Sequence, residues 1–429
     1  MASIAALLAA ATLACPGGAS GGPGLARPGE VGAALATVTP REIAAAFLSR
    51  SYAPGSRARL RVRARASRLT LQLFACGPGA SRQNFYGQAV TQPLSLRWSR
   101  TGATRTLSLQ MRRWRSGLYF ARIVAPDGRA GYAPFVLRPR PLGSSRVAIF
   151  LPTNTWQAYN FRDMNHDGVG DTWYADASIH TVDLTRPYLR GGMPPHFSAY
   201  DLGFLRWLAT SVRSRPGGRR VEKVADFYAD DDFARFANGS WLASHYDLIV
   251  FPGHEEYVTD HAYDLIQSYR NRGGNIAFLS ANNFFYKVVK SGDRLHGRWR
   301  WRDLGRREAA LVGVDYLGRS RRIHDFDPYR VAGARTAAWF FAGTGLSNGE
   351  GFGHFGIEVD HRTAASPPTA IVLARAPNIL GPGRTAEMSY YTTHHAKVFA
   401  AGVLNFGGSA RNTTVKRLLE NLWAKLTVP

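Results

Sequence analysis

At 429 residues, 45% of them hydrophobic and 20% charged, the chain has the composition of a soluble globular protein with room for two or three domains, each with its own core. Its net charge of +24 does not make it a dedicated nucleic-acid binder. The excess is mostly arginine spread along the chain, and no helix-turn-helix, zinc-finger spacing or RRM signature accompanies it; weak attraction to anionic surfaces is the better reading.

The start, MASIAALLAAATLACPGGASGGPG, reads as an export signal over residues 1–20, followed by a linker over 21–41, although no Lys or Arg precedes the apolar core. TLAC also offers Cys15 as a lipid-bearing residue, but Leu13 fits that pattern poorly, so secretion is preferred to a lipid anchor at the cell surface. Beyond this start no apolar run is long enough to span a bilayer. Without the leader Cys76 is the sole thiol, which excludes an intramolecular disulfide and a cysteine-based metal site.

Residues 42–140 carry all-β signals. In RARLRVRARASRLTLQLF (57–74) Arg alternates with Leu60, Val62 and Ala64, predicting a half-buried strand with a solvated Arg face. Further short alternating runs, split by Gly, Pro and Asp-Gly turns, predict an immunoglobulin-like sandwich. RPRPLGSS (138–145) is a linker. The pattern then changes over 146–429. VAIFLP (147–152), YDLIVFPG (246–253) and NIAFLSANN (275–283) are continuous apolar runs, as in strands covered on both faces. DLGFLRWLATSV (201–212) places Leu202, Leu205, Leu208 and Val212 on one helical stripe. TDHAYDLIQSYRNRGG predicts a helix capped by Thr259 and stopped at Gly273-Gly274, and TVKRLLENLWAKL predicts a last helix. Alternating elements imply a doubly wound parallel sheet, with ligands bound beyond the strands' carboxyl ends. The stretch 291–375 reads as irregular, with RWRWR a surface segment and the Gly-rich piece no phosphate loop.

Two local patterns carry chemistry. In DMNHDGVGDTWY (163–174), Asp163, Asn165 and Asp167 stand at positions one, three and five, Gly168 at six and Asp171 at nine. This is the start of a calcium loop; position twelve is Tyr174 instead of the closing Glu, so the expectation is a lone structural Ca2+ site or a turn that binds nothing. GHEEY (253–257) puts His254, Glu255 and Glu256 at a strand's carboxyl end. On their own these are helix-start charges. SANNFFY adds Asn282 and Asn283 after the next strand, amides able to orient a substrate or an oxyanion. No Cys stands there for thiol chemistry, and Ser280 lacks the context of a serine hydrolase.

With LPTNTWQAYN, TRPY, DLGFLRWL, YDLIVFPGHEEYVT, RGGNIAFLSANNFFYKV and AKVFAAGVLNF in order, residues 146–429 resemble the C-terminal domain of N,N-dimethylformamidase large-subunit-like proteins. The resemblance implies a glutamine-amidotransferase-like α/β sheet and an amide hydrolase with mononuclear iron held by two Tyr and one Glu. Carried onto this sequence, Glu256 is the ligand Glu, His254 the neighbouring catalytic His, Tyr159 the first ligand Tyr, Tyr200 the candidate second, and Asn282 the active-site Asn. Trp156 stands where a catalytic acid is expected, a departure that puts amidase activity in doubt. Phenolates and a carboxylate suit Fe(III) and leave positions open for water and substrate.

The expectation is therefore a secreted Fe(III)-dependent hydrolase of a small-molecule amide, with His254 as proton shuttle, acting as a homo-oligomer or with a small companion subunit. Its rival is an exported, non-catalytic binding protein that holds a polymer ligand on a degenerate version of the same fold.

Overall fold

The computed structural model describes residues 42–77, 87–210, 223–320, 326–393 and 395–428, with the backbone of short strands at 212–213 and 220–221. The expected leader and linker, Cys15 included, lie outside the described residues. The fold is mixed α/β. Its centre is five parallel strands, β1 (Val147–Leu151), β2 (Asp226–Ala229), β3 (Leu248–Phe251), β4 (Asn275–Phe278) and β5 (Ala396–Ala400), laid in the order β2-β1-β3-β4-β5. Every residue of β1 to β4 is buried, which is why β1 and β3 are unbroken apolar runs and β2 and β4 are apolar after a first polar residue, Asp226 and Asn275. The sheet continues antiparallel through Ala386–Thr393, Ile371–Ala376, Phe326–Val331 and Gly351–Gly356.

Helices cover both faces. α1 (Thr153–Ala158) comes directly after β1. α2 (Leu202–Leu208) and the last helix, Thr413–Leu426, bury Leu202, Leu205, Val415, Leu418 and Leu422 against Val147, Ile149 and Leu151. On the other face, the helix Asp260–Asn271 packs Ala262, Leu265 and Ile266 on Phe150, Ile249 and Phe251. Its start is fixed as the sequence predicts, by the Thr259 hydroxyl accepting from the Ala262 amide. Because the chain moves one way from β1 to β2 and the other way to β3, the segments after β1 and β3 part and open a crevice at the strands' carboxyl ends.

Before this sheet, a three-stranded antiparallel sheet of Ala44–Phe47, Arg57–Arg63 and Thr104–Gln110 packs on a second sheet built around Arg68–Ala75, Gly117–Val124 and Ala130–Leu137. Leu60, Val62, Leu69, Leu71 and Phe135 share the core between them. Buried arginine contacts tie these sheets to the α/β part: Arg50 meets Asp231, and Arg162 clasps Glu42 at 2.7 and 2.8 Å.

Two expectations need correction. The helix expected over 201–212 ends at Leu208. The stretch 291–375 is not irregular: it contributes strands Arg294–Arg300, Asp315–Arg319, Phe326–Val331, Gly351–Gly356, Glu358–His361 and Ile371–Ala376. These strands pair antiparallel with a partly solvated face, so charge and glycine dilute the apolar signal. In RWRWR the second ring, Trp301, is buried while Trp299 is exposed.

Candidate active site

The segments that leave β1, β3 and β4 line the crevice. Gly253, just after β3, allows the chain to pass close to a neighbour: a Cβ there would lie 2.3 Å from Asp201 Oδ1 and 3.1 Å from Pro152 Cγ. Two backbone amides beyond it are then pinned, Glu255 N–H by Asn283 Oδ1 at 3.2 Å and Glu256 N–H by Thr155 Oγ1 at 3.1 Å. His254, Glu255 and Glu256 are thereby turned inward and buried. Asn282 holds a left-handed conformation (φ 54°), which Asn tolerates better than most residues; its amide donates to Asp360 Oδ1 at 2.9 Å.

Glu256 is the centre of the cluster. Tyr174 Oη lies 3.3 Å from Glu256 Oε1 and 3.0 Å from Tyr159 Oη, and it also meets Tyr257 Oη. The Tyr159 and Tyr174 rings stack with centroids 4.5 Å apart, and the His254 ring lies 5.5 Å from Tyr159. His254 Nε2 is 3.3 Å from Glu256 Oε2 and 3.4 Å from Glu358 Oε2. Asn282 Nδ2 donates to the same Glu358 oxygen at 2.8 Å. His254 Nε2 and Asn282 Oδ1 are buried without a well-formed hydrogen bond.

Burial sets the electrostatics. It pushes the Glu256 carboxyl well above the usual range, with Glu358 adding to the effect, and raises Glu358 to about 7 against the Asn282 hydrogen bond. Burial, then the Glu256 charge, holds the Tyr159 and Tyr174 phenols protonated. Although two carboxyls stand beside it, burial dominates at His254 as well and lowers it to about 3, keeping the imidazole neutral. Arg298 and Arg319 act on Glu256 and Glu358 only through space, and no Arg or Lys bonds to either among the described contacts, so a cation placed here would relieve the carboxyl pair. Among the described residues, no group of three or more His, Cys, Asp and Glu side chains could by itself hold a metal ion; any metal at Glu256 would draw on the two phenols.

The structure brings Tyr159, His254, Glu256 and Asn282 together. Tyr200, the candidate second ligand, stacks on His196 with centroids 5.2 Å apart, and its phenol is raised by burial and then by Glu358, the carboxyl beside His254. Tyr174, which the sequence reading did not name as a ligand, bonds to Tyr159 and Glu256. Its signal was in the sequence, as the residue at the calcium-like loop's closing position. Asp163, Asn165, Asp167 and Asp171 bond within their own loop, Asp163 accepting from the His166 and Gly168 amides and Asp171 from the Met164 amide. Trp156 has an acid beside it after all: burial raises Asp201 to about 8 against the opposing pull of the Trp156 side chain. Glu358 and Asp201 had no local sequence signal.

A family model described as N,N-dimethylformamidase beta subunit-like, C-terminal, matches residues 82–416. No curated protein matches the chain. Among solved structures, the alkylpurine DNA glycosylase AlkC of Pseudomonas fluorescens matches at 14% identity over 23% of this chain and 31% of its own, with a TM-score of 0.15. A superoxide reductase (neelaredoxin) of Ignicoccus hospitalis matches at 12% identity over 23% of this chain and 78% of its own, with a TM-score of 0.15. A cycloisomaltooligosaccharide glucanotransferase of Paenibacillus sp. matches at 9% identity over 56% of this chain and 45% of its own, with a TM-score of 0.19. Likenesses this slight carry no functional argument.

Proposed function

The chain belongs to the N,N-dimethylformamidase beta subunit-like family, and from that premise we propose that it is an amide hydrolase in which Tyr159, Tyr174 and Glu256 hold one ferric ion. The observation that supports this most is the convergence of two phenol oxygens on a buried carboxyl to which no basic side chain is hydrogen-bonded among the described contacts. Bound there, Fe(III) supplies Lewis-acid polarisation of an amide carbonyl.

The chain's own groups supply the proton traffic. Asn282 Nδ2 fixes Glu358 Oε2 beside His254 Nε2. A carboxylate so placed can take a proton from the attacking water as its oxygen bonds to the carbonyl carbon. The neutral imidazole of His254 then relays that proton to the nitrogen as the C–N bond breaks. The free Asn282 Oδ1 is available to orient the substrate, and burial of the cluster excludes bulk water.

We read the parallel part of the sheet, with its β2-β1-β3-β4-β5 order, as glutamine-amidotransferase-like, and the N-terminal pair of sheets as an immunoglobulin-like sandwich. Export to the cell exterior is part of the same reading and rests on the apolar start. The loop at Asp163–Asp171 is proposed as a separate structural calcium site, supported by its carboxyl spacing and the turn at Gly168 (φ 89°).

The test is metal analysis, visible absorption and hydrolysis of a panel of small amides, N,N-dimethylformamide included. Glu256→Ala should lose most of the iron, and His254→Ala should keep iron and phenolate-to-iron colour while hydrolysis falls on the order of 10²–10⁴-fold. Colourless, iron-free wild type from iron-replete cells would sink the metal site.

A further inference from the structure

We propose that the outer face of the N-terminal sheets binds a linear anionic polysaccharide, along a row of arginines that ends in a cavity against the α/β part. On the strand Arg57–Arg63, Ala58, Leu60 and Val62 are 0% exposed. Arg57, Arg59, Arg61 and Arg63 must therefore share the opposite face, about 6.8 Å apart and in a row roughly 20 Å long. Register sets Gln110, Ser108, Thr106 and Thr104 opposite these four in turn, and all four partners are exposed. No acid interrupts either strand.

Such a row does nothing for the fold, because like charges at this spacing repel. Elsewhere the chain matches arginines with carboxylates, as in Arg302–Glu308, Arg307–Asp315 and Arg375–Glu387. Among the described contacts, Arg57, Arg59 and Arg63 donate to no carboxylate. Arg61 is anchored instead to Thr185, its Nη2 donating to the carbonyl at 2.8 Å and to Oγ1 at 3.2 Å.

At the Arg63 end the row runs into a cavity of about 520 Å³, between Arg61, Arg63 and Arg65 on one side and Arg162, Met164 and His166 on the other. Its acids are already engaged. Glu42 is clasped by Arg162, and Asp163 accepts from the backbone of its own loop. The positive charge of Arg63 and Arg65 is left for a ligand, and guanidinium forks suit carboxylate and sulfate groups. The flanking hydroxyls and amide suit sugar hydroxyls. Among the described residues no exposed aromatic ring stands on either strand, as a single-stranded nucleic acid would need for stacking. No apolar side chain projects along the row for insertion into a bilayer.

The test uses the whole protein and a fluorescently labelled heparin hexasaccharide, read by anisotropy at low salt. The triple variant Arg57→Gln, Arg59→Gln and Arg63→Gln should bind roughly tenfold more weakly, since each exposed charge pair contributes a few-fold. A control triple, Arg206→Gln, Arg272→Gln and Arg411→Gln, removes the same charge from exposed sites elsewhere and should stay within about twofold of wild type. The triple Arg57→Lys, Arg59→Lys and Arg63→Lys keeps charge without the fork and should fall between, which covers failure of the Gln triple to fold. Equal losses in the two Gln triples would reduce the effect to net charge and overturn the proposal. So would labelled poly(dT) or phosphatidylserine vesicles binding as tightly as heparin, which would assign the row to nucleic acid or to a membrane.

Discussion

Replacing Tyr174 by Phe removes a single oxygen and leaves the ring stacked on Tyr159, so its consequences trace to the hydroxyl. That hydroxyl touches Tyr159, Glu256 and Tyr257. Tyr257 is fully buried and would keep Arg298 as its remaining polar neighbour. One lost hydrogen bond nets about 1 kcal/mol and a stranded buried hydroxyl costs about 1–3 kcal/mol; with Arg298 in place, the metal-free protein should lose about 1–2 kcal/mol. A melt in chelator reads this. The effect on iron should be larger, because the set of protein donors falls from three to two. Metal analysis should find well below one iron per chain, and the visible band should fade. Tyr200→Phe should keep both, since among the described contacts its hydroxyl bonds to neither Tyr159 nor Glu256. A Tyr200→Phe protein that loses iron while Tyr174→Phe retains it would refute the assignment of Tyr174.

Gly253→Ala should destabilise by about 1–3 kcal/mol, as expected of overpacking, because its Cβ would press on Asp201 and Pro152; a melt unchanged from wild type would show that the turn can relax. Calcium should raise the melting temperature by mass action and Asp167→Ala should abolish that gain, whereas identical curves with calcium and with chelator would remove the site.

The parts of this molecule legible in the sequence are those whose cause is local. Continuous apolar runs mark strands buried on both faces, Thr259 marks a helix start, and His254 with Glu256 mark the end of β3. The choice between Tyr174 and Tyr200 has no local cause. Both lie downstream of Tyr159, Tyr174 in a turn and Tyr200 at the end of a short helix, and the return of the 160–173 loop is what brings the Tyr174 hydroxyl onto Tyr159 and Glu256. Glu358 is further from view, on a strand about a hundred residues beyond β3 in a stretch whose glycines hide its pairing. One global signal was nevertheless available. Lys and Arg outnumber Asp and Glu by 54 to 30, so basic partners are plentiful, yet Asp201, Glu255, Glu256, Glu358 and Asp360 are all buried without an Arg or Lys bonded to them among the described contacts. Burying an unpaired carboxyl costs several kcal/mol unless it is neutralised. A chain this basic had many ways to neutralise five with a salt bridge, and their gathering unpaired at the strand ends is hard to explain by folding. It is what a site built to receive a cation and pass protons requires.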